Sequence, residues 1–128
     1  MIGYVTLGTN DFDRATRFYD RLLAEIGARR LSTSDEFVYY GKRPGLGMLA
    51  VYRPHDGLPA STGNGSMIAL GVRGREGVER MHALALSLGA SDEGAPGLRG
   101  EGFYGAYFRD LDGHKLCAFT YEGKGPEV

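Results

Sequence analysis

The alternation of apolar and polar positions divides the chain into two similar halves. Residues 2–8 alternate apolar with small or polar side chains and are rich in Val and Thr, the period-two pattern of a half-buried strand. Asn10 or Asp11 then suits a helix cap, because a short side-chain oxygen accepts from the free N–H groups of the first turn. Ala15, Phe18, Tyr19, Leu22, Leu23 and Ile26 recur at the spacing of one buried helical stripe, with Asp13, Arg14, Arg17, Asp20 and Arg21 on the wet face. Gly27 closes that helix. Ala28 and Leu31 predict a short strand. Residues 37–41 and 47–52 predict a hairpin around Lys42-Arg43-Pro44-Gly45.

The second half repeats the order. Residues 66–72 predict a strand, Val78, Met81, Ala85 and Leu88 a helical stripe, and Gly89 its end. Gly8 matches Gly71, 63 positions on, and Gly27 matches Gly89, 62 positions on, close to half of the 128 residues. Residues 95–102, rich in Gly and Pro, are expected to be a loop. Residues 103–109 and 115–120 are expected strands joined by Asp110-Leu111-Asp112-Gly113-His114, where Asp-Gly signals a hairpin. Each half therefore reads βαβββ. The expected organisation is one domain over 1–128, with modules at about 1–53 and 66–122 and a linker at 54–65.

Composition narrows the classes. A net charge of −1 gives no reason to expect nucleic acid or an anionic membrane as partner. No apolar run approaches a membrane span, and no basic-then-apolar leader pattern stands at the N-terminus. The single cysteine, Cys117, has no internal disulfide partner, so a cytoplasmic location is expected. His55, His82 and His114 read as surface or capping residues. No phosphate-cradling loop, calcium loop or nucleophile elbow is present.

Taken in order, several segments resemble the vicinal oxygen chelate superfamily, the glyoxalase, bleomycin-resistance and extradiol dioxygenase group. They are Tyr4-Val5-Thr6-Leu7-Gly8 with Ala15-x-x-Phe18-Tyr19, then Gly63-Asn64-Gly65-Ser66, then Gly94-Ala95-Pro96-Gly97-Leu98-Arg99. The last runs from Tyr104 through Asp110-Leu111-Asp112-Gly113-His114 to Leu116. The resemblance implies an α+β fold: paired βαβββ modules forming one curled mixed sheet around a cleft, with the helices on its outer face. Metal-dependent members hold a divalent ion with His and Glu from the first and last strands of each half. The matching positions here are Tyr4, Met67 and Cys117, and the fourth, within residues 47–52, has no His, Asp or Glu. Strand parity agrees: with Val5 and Leu7 toward the helices, Tyr4 and Thr6 face the cleft, as do Met67 and Cys117. A transition-metal site needs about four N, O or S donors, so no metal and no cofactor is expected.

The candidate ligand cleft comprises Tyr4, Thr6, Tyr52, Met67, Glu101, Phe103, Tyr104 and Cys117, with no catalytic residue assigned. Tyr4, Met67 and Cys117 either fill a collapsed interior or wall a pocket for an organic ligand. Gly100-Glu101-Gly102 beside Phe103-Tyr104 reads either as a mobile lid with aromatics to stack a flat ligand or as an ordinary loop. Two functions stay open. One is a protein that binds a small organic molecule in the cleft. The other is a glyoxalase-family enzyme, of lyase or dioxygenase type, acting on a small carbonyl, thiol-conjugate or aromatic substrate. Loss of the hard donors favours binding; a filled interior would suit a structural or regulatory protein.

The family's habit of pairing modules across two chains, and the sheet edges each module leaves, make a homodimer the expected state. Sedimentation equilibrium at micromolar concentration should return twice the 13.9 kDa chain mass. The monomer mass at every concentration would refute it.

Overall fold

Asp11 starts the first helix by accepting from the backbone N–H of Arg14 at 3.1 Å, and the chain then turns through α1, Phe12–Ala24. Its predicted stripe is buried from Ala15 to Leu23, while Ile26, past the helix end, is half-buried. α2, Gly74–Ser87, buries Val78, Met81 and Ala85 in the same way. Both helices end alike: Ala28 N–H donates to Leu23 C=O and Ala90 N–H to Ala85 C=O, each at 3.0 Å. Such a turn needs a residue at positive φ just before the donor. Gly27 at +79° and Gly89 at +103° supply it.

The computed structural model describes residues 1–123; the remainder of the expected 1–128 domain, residues 124–128, lies outside the described residues. The first module contains β1 (Tyr4–Gly8), α1, β2 (Arg29–Thr33), β3 (Phe37–Gly41) and β4 (Met48–Tyr52). The second contains β5 (Ile68–Gly71), α2, β6 (Ser91–Leu98), β7 (Phe103–Arg109) and β8 (Lys115–Tyr121). The fold is α+β and built of two βαβββ units. Each carries its own four-stranded mixed sheet, in the orders β1-β4-β3-β2 and β5-β8-β7-β6. β1 runs parallel to β4 and β5 parallel to β8, while the remaining pairs are antiparallel. The chain divides into compact units between Thr62 and Gly63, inside the expected linker.

One expectation is corrected. Residues 95–98 are not loop but the end of β6, which pairs Gly97 with Gly105 and Leu98 with Tyr104. The strand survives its Gly and Pro because it is an edge strand with register breaks between Asp92 and Gly94 and between Gly94 and Gly97. At an edge Pro96 forfeits no central ladder bond.

In the first module α1 packs on β2 and β4, and the core beneath it contains Leu7, Val38, Tyr40, Leu49 and Val51. In the second, α2 packs on β6, β7 and β8 over Phe108, Leu116 and Ala118. Tyr40 is the polar exception in the first core. Its hydroxyl shares its single proton between Asp20 Oδ1 at 2.8 Å and Thr16 C=O at 3.0 Å. Arg30 grips the same carboxylate with two bonds, at 2.7 and 2.9 Å, tying β2 to α1. Burial raises the Asp20 pKa, but the hydrogen bonds from Arg30 and Tyr40 and the charge of Arg30 outweigh it and hold it below the ordinary 3.8.

Tyr40→Phe should destabilise the protein by about 1.5 kcal/mol or more, since it removes a bond to a charged acceptor, as read by urea unfolding. A carboxylate depressed by folding contributes stability that is intact above its unfolded pKa and lost as pH falls through the folded value. Unfolding free energy should therefore fall with acidification below about pH 5, and Asp20→Asn should flatten that slope. An unchanged slope in the variant would show that Asp20 is not the group responsible.

Candidate functional site

Alternation along each strand sorts the candidate residues between two faces. Leu7 on β1 is buried under the helix, whereas Tyr4 is 52% exposed and Thr6 is exposed beside it. Tyr4 pairs with Met48, Thr6 with Ala50, Tyr39 with Ala50 and Phe37 with Tyr52, so these side chains share the helix-free face of the first sheet. Four rings gather there. Tyr4 meets Tyr39 edge-on at 5.1 Å, Phe37 meets Tyr39 edge-on at 5.3 Å, and Phe37 stacks on Tyr52 at 5.3 Å. The Tyr39 and Tyr52 hydroxyls lie 2.6 Å apart, with either as donor. That bond, chiefly, pushes the Tyr39 phenol above its usual range.

At the end of β1 and β4 the following segment folds back over the strand ends. Asn10 holds it: its carbonyl accepts from Ala60 N–H at 2.7 Å and its amide donates to Ala60 C=O at 3.2 Å. The result is an open groove of about 430 Å³ whose lining includes Thr6, Gly8, Tyr52, His55, Pro59 and Ser61. Arg53 stands at its rim, its guanidinium 4.7 Å from the Phe12 ring centroid and its Nε donating to Asp35 C=O at 2.9 Å.

The helix-free face of the second sheet follows the same rule. Arg109 pairs with Lys115, Tyr107 with Cys117, Gly105 with Phe119 and Phe103 with Tyr121. Phe103 and Phe119 stack at 5.3 Å with planes 6° apart, and both meet Tyr121 edge-on. Met67, just ahead of β5, is 43% exposed.

The structure moves two candidates. Tyr104 does not accompany Phe103: adjacent strand residues point to opposite faces, and Tyr104 lies under α2, donating to Glu79 at 3.0 Å with the Arg75 guanidinium over its ring. Glu101 sits exposed in the β6–β7 turn. That turn is pinned by Arg99 N–H to Phe103 C=O at 2.8 Å and by Glu122 N–H to Gly102 C=O at 2.7 Å. Glu101 is therefore not gathered with the aromatic side chains. His82 is also corrected, from surface to buried, with Nε2 3.0 Å from Asp92 Oδ1 across α2 and β6. Phe37, Tyr39 and Tyr121 were not selected from sequence, because alternation within one strand does not give the register of the next; Phe119 lies two residues from Cys117 and shares its face by the same parity.

The donors at the positions matched to family metal ligands do not fit a divalent ion. Tyr4 offers a phenol and Met67 a thioether, while Cys117 is fully buried and burial pushes its thiol pKa up. Among the described residues no three His, Cys, Asp or Glu side chains cluster closely enough to hold a metal. The same burial removes Cys117 as a nucleophile, because the thiolate is the reactive form.

Cys117 should react with a water-soluble disulfide reagent only through opening of the fold. Labelling at neutral pH is expected to be on the order of a hundredfold slower in native protein than in denaturant. Equal rates would mean the thiol is exposed.

No protein-family model matches the chain, and no curated protein matches it. Solved structures do. A glyoxalase/bleomycin resistance protein from Albidiferax ferrireducens T118 is 32% identical, with a TM-score of 0.87 over 95% of this chain and 99% of its own. A glyoxalase/bleomycin resistance protein/dioxygenase family enzyme from Burkholderia phytofirmans PsJN superposes with a TM-score of 0.77 at 18% identity, covering 94% of this chain and 98% of its own. A glyoxalase-related enzyme from Fulvimarina pelagi gives 0.75 at 20% identity, covering 94% and 87%. The last two attest the fold alone. With two βαβββ modules and a 32% identical match along almost its full length, the chain belongs to the glyoxalase/bleomycin resistance protein family of the vicinal oxygen chelate superfamily.

Proposed function

We propose that this protein binds a small, flat organic molecule against an aromatic, helix-free sheet face, as a homodimer and without the divalent metal usual in its family. The observation that carries this reading is the cluster of Tyr4, Phe37, Tyr39 and Tyr52. Aromatic side chains normally go to the core, so half-exposed rings on an open face favour a stacking partner. The groove floored by Thr6 and Tyr52 adds concavity and polar groups at one end of that face. A catalytic reading on carbonyl, thiol-conjugate or aromatic substrates has less support. Its usual donors are replaced by groups that hold a hard metal poorly, and the one thiol is sequestered.

A panel of flat aromatic compounds should contain one that raises the unfolding free energy by about 2.7 kcal/mol at 100 times its dissociation constant, with EDTA present throughout. The chain has no Trp and eight Tyr, so tyrosine emission should change with binding. Tyr52→Ala should weaken that ligand roughly tenfold by removing one ring contact. Stabilisation that appears only when a divalent metal is added would overturn the metal-free reading.

A further inference from the structure

Two cations on the second module converge on one ring. The Lys115 ammonium lies 5.3 Å and the Arg99 guanidinium 5.6 Å from the centroid of Tyr107. Among the described residues neither forms an ion pair with a carboxylate. Arg109, the third cation on this face, is already bound to Glu93 and to Gly113 C=O. The Arg99 guanidinium donates to Ala95 C=O at 2.5 Å.

The position of Arg99 is built by absence. Its side chain runs back along β6 over Gly94 and Gly97. A Cβ on Gly97 would stand 2.6 Å from an Arg99 terminal nitrogen, and one on Gly94 would stand 3.4 Å from the other. Neither glycine has a positive φ, so the backbone does not require them. What they provide is the lane that lets the guanidinium reach Tyr107. One residue pair along the sheet, Gly105 opposite Phe119 leads to the stack of Phe103, Phe119 and Tyr121. Side chains two apart on a strand lie about 7 Å apart. A cationic end therefore adjoins an aromatic end at the length of one or two fused rings.

We infer that this face is a site for a small organic anion, with its carboxylate or other acidic head held by Arg99 and Lys115 beside Tyr107. Its flat body lies on Phe103, Phe119 and Tyr121. The inference rests on the binding reading above and names the ligand's chemical class. Cations without a carboxylate partner among the described residues, set on an aromatic platform, attract an anion whose own ring prefers the adjoining stack, and an Arg fork matches a carboxylate geometrically. Tyr107 lies beside the Cys117 thiol, and burial chiefly pushes its phenol pKa up.

Calorimetric titration of the full chain with naphthalene-2-carboxylate, naphthalene-2-carboxamide and 2-naphthylmethylamine tests this. The carboxylate should bind about tenfold more tightly than the amide and weaken with salt, and the amine should bind worst. Amide signals of Tyr107, Lys115 and Cys117 should shift in the ¹H–¹⁵N spectrum. Arg99→Gln with Lys115→Gln should bring the carboxylate to the level of the amide and leave the amide unchanged. Gly97→Ala keeps every charge yet displaces the guanidinium, and should cost part of the same preference. Equal binding of amide and carboxylate would overturn the anion site while the binding reading stands, as would a preference that persists in the double variant. If none of the three compounds binds, both readings fall.

Discussion

One helix can shield one side of a four-stranded sheet and no more. Each module of this protein has one helix and one such sheet, so each is left with a face that its own helix does not cover. The rest follows from that shortage. Leu7, Val38, Leu49 and Val51 on one side, and Phe108, Leu116 and Ala118 in the other module, must point to the helix, and parity then sends Tyr4, Thr6, Tyr39 and Tyr52, or Phe103, Cys117 and Phe119, the other way. The amino acids on the uncovered sides are not the charged ones a plain solvent face would carry. They are rings, with cations at one end of the second sheet. Residues that are costly to leave wet, in positions that packing does not demand, favour a ligand as the reason for their presence.

Much of this architecture was legible because it rests on period and on local chemistry. The stripe from Ala15 to Leu23 gave α1, the Asp-Gly turn gave the β7–β8 hairpin, and the matching glycines after the helices gave the repeat. The end of β6 does not read as a strand because Gly and Pro usually break one, whereas an edge strand with bulges accommodates both. At the candidate site the parity of β1 was readable, but Phe103 and Tyr104 were grouped as neighbours in sequence although a strand sets neighbours apart. Arg99 was invisible for a different reason. Its location depends on two missing side chains, Gly94 and Gly97, and on a bend of the chain that no period encodes. His82 reads as a surface or capping residue because a helix face alone does not reveal that Asp92 lies across from it on the next strand.

The polar contacts divide the labour differently from the apolar ones. Asp20, Arg30 and Tyr40 lock helix to sheet inside the first module, and Glu79, Tyr104 and Arg75 do the corresponding work in the second. Both networks lie on the helix side and leave the uncovered faces free of them. A substitution among the exposed rings can therefore change the chemistry of that face without disturbing the anchors of the fold.

The parallel strand pairs set an order of assembly. Tyr4 pairs with Met48 and Ile68 with Leu116, separations of 44 and 48 residues, whereas the antiparallel partners are joined by short turns. Closing a long loop costs entropy before any contact rewards it. In each module the hairpins can form locally, whereas pairing of the first strand with the last closes a loop that spans the helix and the intervening strands. β1 and β5 are also edge strands, held by one neighbour each. Tyr4 and Thr6 therefore stand on an edge strand whose detachment would reshape the first aromatic face while the β3–β4 hairpin behind it remains intact.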